Sequence, residues 1–391
     1  MIDRMVQGLV PDKPHTAFRT ANGGLYYEEM FTRGGFADAF TYFYHQNPIT
    51  PHREVTETTR GYPRAQADLG ASHPLKRRLY ASERVSAGGQ LLDRRTPILT
   101  SADVTVHLAR PTETDDAYFA NGDGDELWFI HEGEGRLESP CDFLDVKAND
   151  YVFVPRSLIH RWHIDAPLRL MGFELHGGMH VPEQFRNPVG QLKMDAPYTH
   201  RDFVRPRGPI ASATGPLEGP RELFVRKGGR TTRYVLETPP MDVVGWDGTV
   251  YPFAFDILKY QPKTGLVHLP PTIHTTFAAR GVLVCSFVPR LVDFHPQAIP
   301  CPYPHSSVDC DEVILYLRGN FTSRRGVGPG AISLHPAGIA HGPHPGAYEA
   351  SIGATRTDEL AVMIDTYLPL LPTAQAANLE EPGYHGSWGA H

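Results

Sequence analysis

Apolar residues in this 391-residue chain come in short runs cut by glycine and proline, and extended 3.6-residue periodicity is largely absent. The clearest run is Val313-Ile314-Leu315-Tyr316-Leu317-Arg318, which reads as a buried strand. Gly319-Asn320 then reads as a tight turn, with Phe321-Thr322-Ser323 starting a returning strand. Gly330 to His335 reads as another short strand, and Pro336-Ala337-Gly338-Ile339-Ala340 as the turn that presents His341. The 37 glycines and 36 prolines are scattered rather than clustered, as a β-rich chain with many turns requires. An all-β architecture with short helices and long connections is therefore predicted.

The candidate chemistry lies in the same region. His305 precedes Glu312 by seven residues, and His341 closes the spacing Gly330, Pro336, Gly338, His341. Two histidines and a carboxylate can hold a metal on one face and leave the other face open for substrate and O2. Asp309 and Asp311 are rival carboxylates. Glu312 is preferred because it keeps a six-residue interval to Gly319, while the aspartates suit loop capping or orientation of a ligand. These positions resemble the two motifs of the cupin superfamily, small antiparallel β-barrels. Ser307 stands where that superfamily usually carries a second histidine, and Pro345 where it often carries asparagine. The expected ligand set is therefore three, the facial pattern of Fe(II) oxygenases.

A fainter copy lies upstream. Glu126 and Gly133 repeat the first motif, and Pro155, Ser157 and His160 the second. Phe119 and Asn121 lie where histidines would be, and Asn149 and Ser157 replace two glycines. A two-barrel protein is expected, with metal in the C-terminal barrel alone. The weaker alternative is a second site of Glu126 and His160 with His131 or His163. The chain divides into an extension at 1–60 containing Phe40-Thr41-Tyr42-Phe43-Tyr44, a metal-free barrel at 61–178, and a Pro/Gly/Arg-rich connection at 179–250. A catalytic barrel at 251–368 and a tail at 369–391 complete it.

Composition narrows the partners. Lys+Arg 37 against Asp+Glu 44 gives a net charge of −7, and no basic run points to nucleic acid or a membrane surface. No 18-residue apolar stretch or secretory leader is evident. Cys141, Cys285, Cys301 and Cys310 make no Cys-x-x-Cys pair, so a disulfide framework is not expected and a reducing cytoplasm fits.

Four segments narrow the resemblance further. They are His268-Leu269-Pro270-Pro271-Thr272-Ile273-His274, Phe287-Val288-Pro289-Arg290, Tyr303-Pro304-His305, and Ser333-Leu334-His335 through His341-Gly342-Pro343. Together they resemble the homogentisate 1,2-dioxygenase family, most clearly over residues 250–370. The resemblance implies Fe(II), O2, ring cleavage of a para-dihydroxylated aromatic acid, a place in aromatic catabolism such as tyrosine degradation, and a trimeric or hexameric homo-oligomer. It makes His305, Glu312 and His341 the iron ligands, though the family's interval from histidine to glutamate is usually six, which keeps Asp311 in view. It makes His268 the acid/base at the substrate hydroxyl and His335 a substrate-holding residue. The family's pocket tyrosine falls on Phe321, which removes a hydroxyl donor and leaves the ring substituents open. His274 has a weaker claim to line the pocket, and His295 and His344 weaker ones again. Arg290 suits either a substrate carboxylate or a structural ion pair. Competing readings are a cupin dioxygenase for another phenol or aminophenol, a quercetinase-like enzyme, a non-catalytic bicupin binding protein, and an isomerase or hydrolase using Zn²⁺ or Mn²⁺.

Overall fold

A computed structural model describes residues 2–208, 218–319 and 327–389. Among these residues 25 strands are joined by 3-10 turns and a single four-residue α-helix, Ala347–Ala350, so the architecture is all-β as the sequence predicts.

Alternation within one strand explains how the layers form. In Asp311–Arg318, Val313, Leu315 and Leu317 point to one side and Glu312, Ile314 and Tyr316 to the other. The odd positions enter a large core with Val284, Ile332, Leu334, Val362 and Ile364 of the same sheet. That sheet has six antiparallel strands, ordered Thr275–Ala279, Val282–Phe287, Leu360–Thr366, Asp311–Arg318, Ala331–His335 and Arg78–Ala81. The upstream strand Asp125–Ser139 alternates the same way. Leu127 and Phe129 enter this same core, while Trp128 and Ile130 enter a second one with Trp162, Trp246 and Tyr251. It belongs to a nine-stranded antiparallel sheet that also contains Asp150–Val154, Arg161–Leu175 and Val104–Ala109. The two sheets thus stand back to back across one core, and Glu126 and Glu312 face away from it on opposite sides.

Pairings distant in sequence tie the sheets together. Arg78–Ala81 pairs with Ala331–His335, Phe253–Asp256 with Asp150–Val154, and Leu371–Pro372 with Thr96–Thr100. Between 179 and 250 a hairpin, Arg221–Lys227 with Arg230–Leu236, turns at Gly228-Gly229, both at positive φ. Phe40–His45, the aromatic patch of the extension, pairs with Tyr27–Thr32 and Val243–Gly248. All four cysteines are free thiols, and no helix of the described residues is long and apolar enough to cross a membrane.

Candidate metal centre

His305 and His341 face one another across a two-residue antiparallel bridge, each backbone N–H donating to the other's carbonyl at 2.8 Å. Directly opposed residues project to the same side, and the ring centroids lie 4.4 Å apart. Each Nδ1 sits 3.2 Å from a carbonyl oxygen two residues earlier, of Tyr303 and of Ile339 respectively. Donation there places the proton on Nδ1, the tautomer in which Nε2 carries the lone pair. Glu312 supplies the carboxylate: one donor atom from each of His305, Glu312 and His341 falls within 4.8 Å of the others, with Glu312 and His341 buried. The turn carrying His341 depends on Gly338 at φ +84, where a Cβ would meet nothing within 4 Å, so backbone conformation rather than space calls for glycine.

Asp311 is not part of this group. Its two oxygens accept the backbone N–H of Ala337 and of Leu370, at 2.7 and 2.6 Å, which pins the turn to the chain beyond the last long strand. Asp309 is exposed. Two side chains flank Glu312 in register, His335 on one side and Asp365 on the other. His335 is fully buried and donates from Nδ1 to Glu312 Oε1 at 2.6 Å. Burial, then the charge of Glu312, pushes the Asp365 carboxyl up to about 7. Sequence reasoning missed Asp365; its signal was a lone acid ending the apolar run Leu360-Ala361-Val362-Met363-Ile364.

The remaining candidates lie further out. His268 is exposed, with its ring 4.8 Å from that of Tyr303, which in turn lies 6.4 Å from His305. His274 is buried against Phe287, at 4.7 Å; burial, then Arg290, pulls it down to about 3. Arg290 is paired with Glu359 at 2.8 Å. Phe321 lies outside the described residues.

The upstream copy reproduces the backbone of the centre. Phe119 and His160 form the same reciprocal bridge, and His160 Nδ1 lies 2.9 Å from the Leu158 carbonyl oxygen. Asn149 and Ser157, in place of glycines, hold φ of 76 and 65. The side chains at this position differ. The Arg95 guanidinium is ion-paired to Glu126 and lies 4.6–5.0 Å from the ring centroids of Tyr62, Phe119 and Trp128. Asn121 and the Trp128 indole also donate to Glu126, at 2.9 and 2.8 Å. Burial alone would raise the Glu126 carboxyl, but Arg95 and these donors hold it below the usual range. The alternative second metal site does not form. Among the described residues His305, Glu312 and His341 are the sole such group, and His163 instead bonds Glu138 at 2.6 Å while His131 lies against Glu132.

The chain is thus an all-β protein with back-to-back sheets, one of which carries a two-histidine, one-carboxylate cluster able to hold a metal ion. The family model described as "Homogentisate 1,2-dioxygenase N-terminal" matches residues 17–257. The "Putative dioxygenase SSO1533" of Saccharolobus solfataricus is 35% identical over 98% of this chain and 98% of its own length. Homogentisate 1,2-dioxygenase of Bradyrhizobium diazoefficiens is 29% identical over 74% of this chain and 66% of its own. A cupin 2 conserved barrel domain protein from Leptotrichia buccalis aligns over 74% of this chain and 95% of its own, at 9% identity with a TM-score of 0.36. The chain belongs to the homogentisate 1,2-dioxygenase family. The match to the family model falls on the half where sequence reading found the resemblance thinnest.

Proposed function

We propose that the chain is an Fe(II)-dependent dioxygenase that opens the ring of a para-dihydroxylated aromatic acid, homogentisate or a close analogue. The observation that carries this reading is the convergence of His305, Glu312 and His341 within 4.8 Å. The donor set suits the group: two imidazoles with Nδ1 engaged by backbone carbonyls and one carboxylate fit a divalent first-row ion and leave further coordination positions open. Iron(II) held there supplies the one-electron chemistry by which a closed-shell ring reacts with O2. In the overall reaction one ring C–C bond breaks and both oxygens of O2 remain in the product.

The chain's own work is binding and proton handling. His268, at the exposed edge behind Tyr303, takes the proton from the substrate hydroxyl. Phe321 is assigned to the substrate's surroundings by resemblance, as is a homo-oligomeric assembly, and His274 by its place six residues after His268. His335, the resemblance's other substrate residue, turns its ring nitrogens to Glu312 and Tyr384 and is assigned to holding the carboxylate. The curated names of the relatives support a dioxygenase, and the 35% relative carries no substrate in its name, so the substrate is tested directly.

Protein loaded with Fe(II) under anaerobic conditions is expected to take up O2 with homogentisate, and more slowly or not at all with ortho-diphenols and aminophenols. Glu312→Gln should bind no iron and consume no O2. His268→Ala should retain iron and lose turnover by about 10²- to 10⁴-fold. Iron-loaded protein that ignores every para-diphenol tested would overturn the substrate assignment, and full iron occupancy in Glu312→Gln would overturn the ligand assignment.

A further inference from the structure

The residues around His341 are gripped by segments far away in sequence. Arg77 donates to the Ala340 carbonyl, the Trp388 indole N–H donates to the Gly342 carbonyl at 3.2 Å, and His344 Nε2 bonds Ser387 Oγ at 2.9 Å. Two of these partners lie on the terminal 3-10 turn Tyr384–Trp388. The Arg77 guanidinium stacks on Trp388 at 4.6 Å, and its backbone N–H donates to His385 Nδ1 at 3.1 Å. The same turn places the Tyr384 hydroxyl 3.5 Å from His335 Nε2.

His335 links that hydroxyl to two proposed ligands. Its Nδ1–H is committed to Glu312, so in the neutral ring Nε2 accepts and Tyr384 O–H donates. Its ring also lies stacked against His341, with centroids 5.1 Å apart and planes 22° apart. A rotation of His335 would therefore disturb the Glu312 carboxylate and the packing of His341 together. Both ring nitrogens face protein groups, which is the arrangement of a residue that orients ligands.

We propose that the C-terminal turn is a built part of the metal centre, with Tyr384 acting through His335 as a positioning residue for Glu312 and His341. This rests on the metal-binding role proposed above. Outer partners of metal ligands change affinity by about 10- to 100-fold when lost.

The test uses Co(II), whose visible absorption reports its ligands, on the full chain. Wild type is expected to bind one equivalent, and Glu312→Gln none. Tyr384→Phe should bind about tenfold more weakly with a shifted band. His335→Asn, which keeps a donor toward Glu312 but offers nothing to Tyr384, should make the Tyr384→Phe change silent. Should Tyr384→Phe fail to fold, Trp388→Phe tests the same clamp, and several-fold weaker Co(II) binding is expected. Wild-type affinity and spectrum in the single variants, or additive losses in His335→Asn/Tyr384→Phe, would overturn the positioning role while leaving the metal centre intact. Failure of wild type to bind Co(II) would overturn the metal centre and this role with it.

Discussion

Arg95 supplies a positive charge at the upstream position that matches the proposed metal centre. A metal position bounded by Glu126 and His160 is expected to hold positive charge, and a guanidinium provides it with fixed geometry. His160 Nε2 remains buried without a hydrogen-bond partner, and burial pulls its basicity down. Arg95→Met removes the charge and strands Glu126 in a dry site. That should cost about 3–5 kcal/mol in urea unfolding, and Arg95→Met/Glu126→Gln should recover part of the loss. An Arg95→Met variant as stable as wild type would show that the carboxylate is not held by this pair. Phe119, Asn121, Glu126 and His160 could be read from the sequence because local spacing sets their positions. Arg95 could not, because nothing in Leu91-Leu92-Asp93-Arg94-Arg95 states which distant strand it lies beneath. Asp365 and Tyr384 were hidden for the same reason.

Among the elements, the turns are the most legible because their requirements are local. Gly338 and Ser157 occupy equivalent turns at φ +84 and +65, one in the proposed metal centre and one in the copy that Arg95 fills. A left-handed conformation costs a side-chain residue about 1–2 kcal/mol, partly offset by the extra freedom glycine has when unfolded, worth about 0.4–1 kcal/mol. Ser157→Gly is thus expected to raise the melting temperature slightly. Gly338→Ser should lower it by a similar amount and also weaken metal binding, because its turn aims His341. Equal effects of the two changes on metal binding would contradict the separation of roles. Strand pairing was less legible. The hairpin at Gly228-Gly229 was readable as two alternating runs around a two-glycine turn, but the surrounding proline and glycine favoured an extended reading. The pairing of Arg78–Ala81 with Ala331–His335 leaves no mark on either segment's composition.

Over the whole molecule, the shared core decides whether the halves act separately. Phe277 lies on the six-stranded sheet, yet its ring meets those of Tyr151, Phe253 and Phe255 of the nine-stranded sheet at 5.6–6.0 Å. Tyr151 also bonds Ser286 across the interface at 3.0 Å. The edge strands Arg78–Ala81 and Leu371–Pro372 and the interior strand Phe253–Asp256 add backbone ladders between segments distant in sequence. Three of the four tryptophans, Trp128, Trp162 and Trp246, lie in the core behind the nine-stranded sheet, whereas Trp388 bonds Gly342 beside His341, so the core is read by fluorescence in a Trp388→Phe background. Urea unfolding of Co(II)-loaded protein should therefore show tryptophan fluorescence and the metal absorption band changing at one midpoint. Phe277→Ala, which empties the interface, should cost about 3–5 kcal/mol and move both signals together. Release of Co(II) at a lower urea concentration, with tryptophan fluorescence still native, would show instead that the metal-bearing sheet unfolds on its own and that the common core does not couple it to its counterpart.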